Sequence, residues 1–354
     1  MATDALYMHR CYELAQLGAG KVSPNPMVGA LLVHKGIIIS EAYHQRYGGP
    51  HAEALVIEDI HTRYGTDAPH IFANSTLYVS LEPCSHFGKT PPCADAIIAN
   101  GIPRVVIGSG DPSKKVDGKG ILKLKQAGVQ VEAFIEEEKG HFINRRFFIQ
   151  QTRQRPYVIL KWAQTSNGYM APKDRSQAWI TGEEAKILSH RWRTEEDAIL
   201  VGTRTVLVDD PQLTAREWPG RSPVRIVIDR DRSVPSHSKI FDEQAQTIVF
   251  NAEHYAHQGH IRHIALPEYD YYLPQQILYQ LYLLDIQSVI IEGGVATLTL
   301  FYEAGLWDEI RVLESPVTWE EGQYAPILPV APDHTFAVGK DHCRVYYANH
   351  LKNK

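Results

Sequence analysis

The stretch Pro83-Cys84-Ser85-His86-Phe87-Gly88-Lys89-Thr90-Pro91-Pro92-Cys93, taken with His51-Ala52-Glu53 upstream of it, constrains this chain more than any other part. Cys84, Cys93 and His51 offer two soft thiolates and one imidazole. Three such ligands leave the fourth tetrahedral position of a zinc ion open to water, which separates a catalytic zinc from a closed structural one. Glu53, two residues past the histidine, is left over as a general base. Tyr47-Gly48-Gly49-Pro50 delivers His51 to the start of a helix running towards Ile60, and Pro91-Pro92 open another through Asn100. Both sides of the site are therefore expected at helix N-termini, which favours the thiolate of Cys93.

Histidine, then glutamate, then Pro-Cys and a second cysteine is the order found in zinc nucleobase deaminases, where the glutamate is not a ligand. Most of those separate the cysteines by two residues; here Ser85 to Pro92 put eight between them. With His86, Gly88, Lys89 and the Pro91-Pro92 pair, this loop closely resembles that of the bifunctional riboflavin-biosynthesis family, a pyrimidine deaminase fused to a pyrimidine reductase. The resemblance implies an α/β chain: an N-terminal cytidine-deaminase-like three-layer α/β/α domain, then a C-terminal dihydrofolate-reductase-like α/β domain. It also implies that Asn25, His44 and Lys89 line the deaminase substrate pocket, with Lys89 a candidate phosphate contact.

At 354 residues the chain exceeds what one core usually organises, so two domains are expected. Apolar content of 44% and charged content of 22% suit a globular protein. The net charge of −5 argues against a broad nucleic-acid surface, and no apolar run reaches the ~18 residues of a spanning helix. The four cysteines (Cys11, Cys84, Cys93, Cys343) are too few for a disulfide scaffold and fit a reducing cytoplasm.

Asp4 to Gly18 reads as an opening helix with Leu6, Cys11, Leu14 and Leu17 on one face. A hairpin follows over Val28–Val33 and Ile37–Ser40, then strands Thr76–Leu81, Arg104–Gly108 and Val129–Phe134, a helix Gly120–Ala127 and a last helix Glu136–Phe148. The boundary is expected near Gln150 to Arg155, giving domains of 1–150 and 151–354. Beyond it, strands at Tyr157–Ala163, Asp197–Val201, Val224–Ile228, Thr247–Phe250, Ile261–Leu266 and Ser288–Ile291 alternate with helices Glu183–Arg193 and Pro274–Leu284. That rhythm predicts a mostly parallel sheet.

Glu292-Gly293-Gly294 ends a buried apolar strand and opens a helix from Val295 to Ala304, a place where a backbone can approach phosphate oxygens. The family resemblance extends over this half as well. Lys161-x-Ala163, Trp179 to Thr181, Arg193, Thr205 to Arg216, Pro223 to Asp229 and Glu292 to Gly294 match its reductase motifs. It implies NADPH bound by Ala163, Trp179, Thr205, Asp209, Gly293 and Gly294, and substrate bound by Lys161, Arg193, Leu213, Arg216 and Glu292. Arg193 and Arg216 suit a substrate phosphate, since a planar guanidinium grips it with two hydrogen bonds. The chain departs from the family pattern at Ser113, Asn167, Gln177 and beyond Glu314.

The expectation is thus an enzyme of riboflavin synthesis with one zinc per chain and NADPH, acting on a small pyrimidine nucleotide. No nucleic-acid or membrane partner is expected, and homo-oligomerisation is left open. Two alternatives stand beside it. One is a deaminase of tRNA or single-stranded DNA with a non-reducing second domain. The other is a zinc-stabilised scaffold whose fourth ligand is His86 or Cys11.

Overall fold

The computed structural model describes residues 2–86, 91–113, 116–174 and 176–352. The chain divides into two compact units, Met1–Arg153 and Gln154–Lys354.

In the first unit, strands β1 (Gly29–His34), β2 (Ile37–Tyr43), β3 (Ser75–Leu81), β4 (Arg104–Ser109) and β5 (Gln130–Ala133) form a sheet in the order β2-β1-β3-β4-β5. Strand β1 runs antiparallel to both neighbours, while β3, β4 and β5 are parallel. Its helices are α1 (Ala2–Gln16), α2 (Ala52–Tyr64), α3 (Ala68–Ala73), α4 (Cys93–Ala99), α5 (Lys119–Gln126), α6 (Glu137–Ile143) and α7 (Arg145–Arg153). Because side chains alternate across a strand, the sheet feeds two cores. Leu31, Val33, Tyr78 and Val106 pack with Met8, Cys11 and Tyr12 of α1 and Ile143 of α6. Leu32, Leu77, Val79, Val105 and Ile107 pack on the other side with Val56 and Ile60 of α2, Phe72 of α3, Ile97 of α4 and Leu124 of α5. The result is the three-layer α/β/α arrangement.

Several elements differ from the sequence reading. Helix α1 buries Met8, Cys11, Tyr12 and Ala15, an i, i+3, i+4, i+7 stripe, and leaves Leu6 and Leu17 exposed. The helix expected over Glu136–Phe148 is two helices broken at Asn144, whose side-chain amide accepts from Met27 N (2.8 Å) and donates to Met27 O (2.9 Å). The polar run Gln150–Arg153 is the last turn of α7 rather than a linker. Helix α4 starts at Cys93, with Pro92 as its N-cap, so both prolines precede the helix. Helix α3 is an addition.

The second unit contains strands β6 (Tyr157–Thr165), β7 (Tyr169–Ala171), β8 (Ala198–Gly202), β9 (Val224–Ile228), β10 (Thr247–Asn251), β11 (Ala256–Gln258), β12 (Ile261–Ala265), β13 (Ser288–Ile291), β14 (Glu309–Ser315), β15 (Gln323–Tyr324), β16 (His334–Val338) and β17 (Asp341–Tyr347). Ten of them make one sheet, ordered β11-β12-β10-β9-β8-β13-β6-β14-β17-β16. It is parallel from β12 through β14 and antiparallel at both edges. Its helices are α8 (Glu183–Glu195), α9 (Thr203–Asp209), α10 (Leu273–Leu283), α11 (Val295–Glu303) and α12 (Asn349–Lys352). Val158, Leu160, Leu200, Ile226, Phe250, Ile291 and Ile310 pack with Ile277 and Leu281 of α10 and Leu298 and Phe301 of α11. Elsewhere charge is buried in pairs. Arg311 meets Glu309 (2.6 Å) and Glu196 (3.3 Å) and stacks over Trp192, and Arg155 grips Asp308 through two hydrogen bonds. Among the described residues no helix is long and apolar enough to cross a membrane.

Candidate active sites

The first site is built where the end of β3 meets two helix N-termini. His51 is the N-cap of α2, in extended conformation, and Glu53 lies in that helix's first turn. Strand β3 ends at Leu81; Cys84 follows, and Cys93 opens α4. His51 Nδ1 lies 3.3 Å from Cys93 Sγ and 3.7 Å from Cys84 Sγ, and the three donor atoms all fall within 4.8 Å of one another. Tetrahedral zinc with ordinary Zn–S and Zn–N bonds spaces its ligand atoms by about 3.5 Å, so these residues fit that ion. Hydrogen bonding from Cys93, then from His51, pulls the Cys84 thiol down to about 4, while Cys84 holds the His51 imidazole up at about 9. Cys93 is pushed upward by the same partner and by burial, so charge on both sulfurs at once is disfavoured without a cation. A divalent cation held by His51, Cys84 and Cys93 would favour both thiolates.

Glu53 is buried and is not a member of the ligand cluster; burial raises its carboxyl above the usual range. No fourth protein ligand joins the cluster among the described residues. Cys11 is packed in the core on the buried face of α1, and His86 is exposed. The scaffold alternative therefore lacks the ligand it needs. His44 is buried with its ring edge-on to His51, centroids 5.5 Å apart. Its Nδ1 lies 2.8 Å from the Pro50 carbonyl, which can only accept, so Nε2 is left to accept from the Asn25 amide at 3.0 Å. Burial lowers the His44 pKa and keeps that neutral tautomer. Lys89 falls outside the described residues.

A residue the sequence reading passed over supports the cysteine loop. Glu82, just past β3, accepts from Gly120 N (2.8 Å) and Ile121 N (3.2 Å) on one oxygen, and from Gly118 N (3.1 Å) and Asp111 N (3.4 Å) on the other. Its carboxylate caps α5 and ties the chain before Cys84 to that helix. A Cβ at Gly120 would sit 2.0 Å from the Pro83 carbonyl, so only glycine permits this approach. Glutamate immediately before Pro-Cys was the available signal.

The second site is a cavity of about 910 Å³ in the other unit. Lys161, Ala163, Trp179, Arg193, Thr205, Asp209, Leu213, Arg216, Glu292, Gly293 and Gly294 all line it, as does Gln177. At its floor Glu292 takes Lys161 Nζ at 3.6 Å on one oxygen and Arg193 Nη2 at 3.1 Å on the other. Burial works against this carboxylate, but Lys161 and Arg193 outweigh it and hold its pKa below the usual range. Gly293, at φ 147°, and Gly202 close the ends of adjacent parallel strands; a Cβ on either would press Thr205 or Thr297. The N-terminus of α11 thus opens at the carboxyl end of the sheet, where α/β folds receive phosphorylated ligands. Those glycines and that helix end fit a dinucleotide phosphate. Asn167 is elsewhere: its amide donates to Trp319 O (2.7 Å) and accepts from Trp319 N (3.3 Å). Two departures from the family pattern, Asn167 and the chain after Glu314, therefore bind each other.

Fold and ligand set together define a zinc deaminase joined to an α/β reductase. Residues 1–109 match the cytidine and deoxycytidylate deaminase zinc-binding region, and residues 156–322 match the RibD C-terminal domain. Riboflavin biosynthesis protein RibD of Aquifex aeolicus is 40% identical over 327 residues, covering 90% of this chain and 88% of that one. The Escherichia coli K12 protein of the same name is 34% identical over 330 residues, 88% of each. A Thermotoga maritima deaminase/reductase structure superposes with a TM-score of 0.86 at 35% identity, covering 97% of this chain and 98% of that one. Acinetobacter baumannii RibD gives 0.87 at 27% identity, covering 98% and 99%. The chain belongs to the RibD family of bifunctional deaminase/reductase enzymes of riboflavin biosynthesis. With these relatives, the alternative of a tRNA or single-stranded DNA deaminase loses its support.

Proposed function

We propose that residues 1–150 deaminate 2,5-diamino-6-(ribosylamino)-4-pyrimidinone 5'-phosphate and that residues 151–354 reduce the ribosyl group of the product to ribityl with NADPH. The related Thermotoga maritima protein is described as a diaminohydroxyphosphoribosylaminopyrimidine deaminase and 5-amino-6-(5-phosphoribosylamino)uracil reductase. The observation that carries the reading is the His51–Cys84–Cys93 cluster beside a buried Glu53 that lies outside it.

His51, Cys84 and Cys93 would hold the zinc, which supplies an activated water for attack on the amine-bearing carbon. Glu53 takes one proton of that water and passes it to a ring nitrogen, then takes the second from the hydroxyl now bonded to carbon and passes it to the amine, which leaves as ammonia as the carbonyl forms. Its raised pKa suits a group that must both take and give. Asn25, held by His44, keeps its carbonyl oxygen and one N–H for the pyrimidine edge. Lys89 is assigned to the substrate phosphate.

In the second site NADPH supplies the hydride, and no protein nucleophile is needed. Gly293, Gly294 and the N-terminus of α11 receive cofactor phosphate, with Ala163, Trp179, Thr205 and Asp209 lining the same cavity. Lys161 and Glu292 fix the sugar end of the substrate, and Arg193 and Arg216 meet its phosphate, with Leu213 beside them. A reducing compartment, the cytoplasm, keeps Cys84 and Cys93 as thiols. The test gives the full-length enzyme the diaminopyrimidine nucleotide and follows ammonia and NADPH. Ammonia release followed by NADPH oxidation is expected; ammonia alone would leave a deaminase with an inactive second unit.

A further inference from the structure

We infer that His190 and Thr214 complete, with Arg193 and Arg216, the pocket for the substrate's phosphate monoester, and so set the reductase's preference for a nucleotide over a nucleoside. The inference rests on the reading that Arg193 and Arg216 meet that phosphate. Among the described residues, Nδ1 of His190, Nε of Arg193 and Oγ1 of Thr214 are buried without a hydrogen-bond partner. They are neighbours. His190 and Arg193 lie one turn apart on α8, a spacing that puts them on the same helix face. Arg193 Nη1 donates to the Thr214 carbonyl at 3.3 Å, which brings Thr214 beside Arg193.

Buried polar atoms left unpaired are costly, and folded proteins leave few of them; Arg193 Nε can only donate and the other two can donate, so the group points to an acceptor-rich ligand. His190, Arg193 and Arg216 line the cavity. Two terminal N–H groups of Arg193 are already committed, to Glu292 and to Thr214 O, and its Nε is left over. Burial first, then the charges of Arg193 and Arg216, lower the His190 pKa to about 4. His190 is therefore neutral under the charges of two guanidiniums and can place its one N–H on the unpartnered Nδ1, and Thr214 adds a hydroxyl. A tetrahedral dianion offers oxygens enough to satisfy all of them.

The test uses the full-length enzyme with the deaminated ribosylaminopyrimidine, with and without its 5'-phosphate, following NADPH oxidation. Thr214→Val and His190→Ala should each raise KM for the phosphorylated substrate about 10-fold or more, leave KM for the dephosphorylated one unchanged, and leave NADPH affinity intact. Thr214→Ser, which keeps the hydroxyl, should restore the wild-type KM. Unchanged KM in both variants, or equal shifts for both substrates, overturns the inference. Arg216→Ala separates the two levels. If Arg216→Ala discriminates between the substrates while His190→Ala and Thr214→Val do not, only the inference fails. If Arg216→Ala does not discriminate either, the phosphate reading itself is wrong.

Discussion

The Glu82 carboxylate accepts the backbone N–H of Gly120 at 2.8 Å, and through this bond the loop that carries Cys84 is fastened to the start of α5. Groups that orient metal ligands from behind typically change metal affinity about 10–100-fold when removed. Glu82→Gln swaps one acceptor oxygen for an NH2 facing backbone donors, and should weaken zinc binding by that factor in a competition titration. Gly120→Ala, which drives a methyl into Pro83 O, should do the same without touching any charge. Wild-type zinc affinity in both variants would reduce Glu82 to an ordinary helix cap.

Removal of the proton carrier should separate chemistry from metal binding. Glu53→Gln is expected to retain about one zinc per chain and to lose ammonia release by at least about 10²–10⁴-fold. Cys84→Ala or Cys93→Ala should lose the metal itself. Metal analysis beside an ammonia assay decides, and near-wild-type deamination by Glu53→Gln would refute its role.

In the reductase cavity, Glu292 holds Lys161 and Arg193 in place. Glu292→Ala leaves two buried cations facing one another without a counter-charge, so the second unit should lose about 3–5 kcal/mol of stability and kcat/KM for NADPH oxidation should fall as Lys161 and Arg193 lose their positions. The deaminase rate of the same chain is the internal control and should not move.

In the second unit, Asp308 ties acid stability to the charge of one buried carboxylate. Its carboxylate takes two hydrogen bonds from Arg155 (2.6 and 2.7 Å), one from Val158 N (2.8 Å), and His350 at 2.8 Å. Burial opposes the charge, but these partners more than offset it and lower the pKa. For a depressed carboxylate the stabilisation is complete above the unfolded value of about 3.9 and is lost as pH falls through the folded one. The second unit's Tm should thus drop steeply below about pH 4. Asp308→Asn should lower Tm at neutral pH and flatten the acid limb.

The His51–Cys84–Cys93 cluster was legible in the sequence because each residue carries its chemistry in its own side chain and sits where a strand or loop meets a helix. The parallel strands were legible because their two-sided burial writes continuous apolar runs such as Val289-Ile290-Ile291. What stayed hidden depends on pairs far apart in the chain. Asn144 breaks a helix only because Met27 is there to be clamped. Asn167 reads as a lost family residue until Trp319 is seen bonded to it. Strand β16 gives no periodic signal, since His334 to Ala337 are all exposed. His190 looked like one polar residue on an amphipathic helix; its lack of a partner is visible only in three dimensions.

The placing of β6 between β13 and β14 bears on how the chain is born. All five strands of the first sheet leave the ribosome before Tyr157 does, and that sheet can close at once. Strand β6 is the first of the second unit to emerge, yet both of its partners are among the later ones, at Ser288–Ile291 and Glu309–Ser315. Contacts that distant form slowly, and an apolar strand waiting for them is exposed to misassembly. A nascent chain halted before Glu309 carries a finished zinc domain followed by Val158-Ile159-Leu160 with one edge unclaimed. The order of fusion lets the first enzyme fold while the second is still being written.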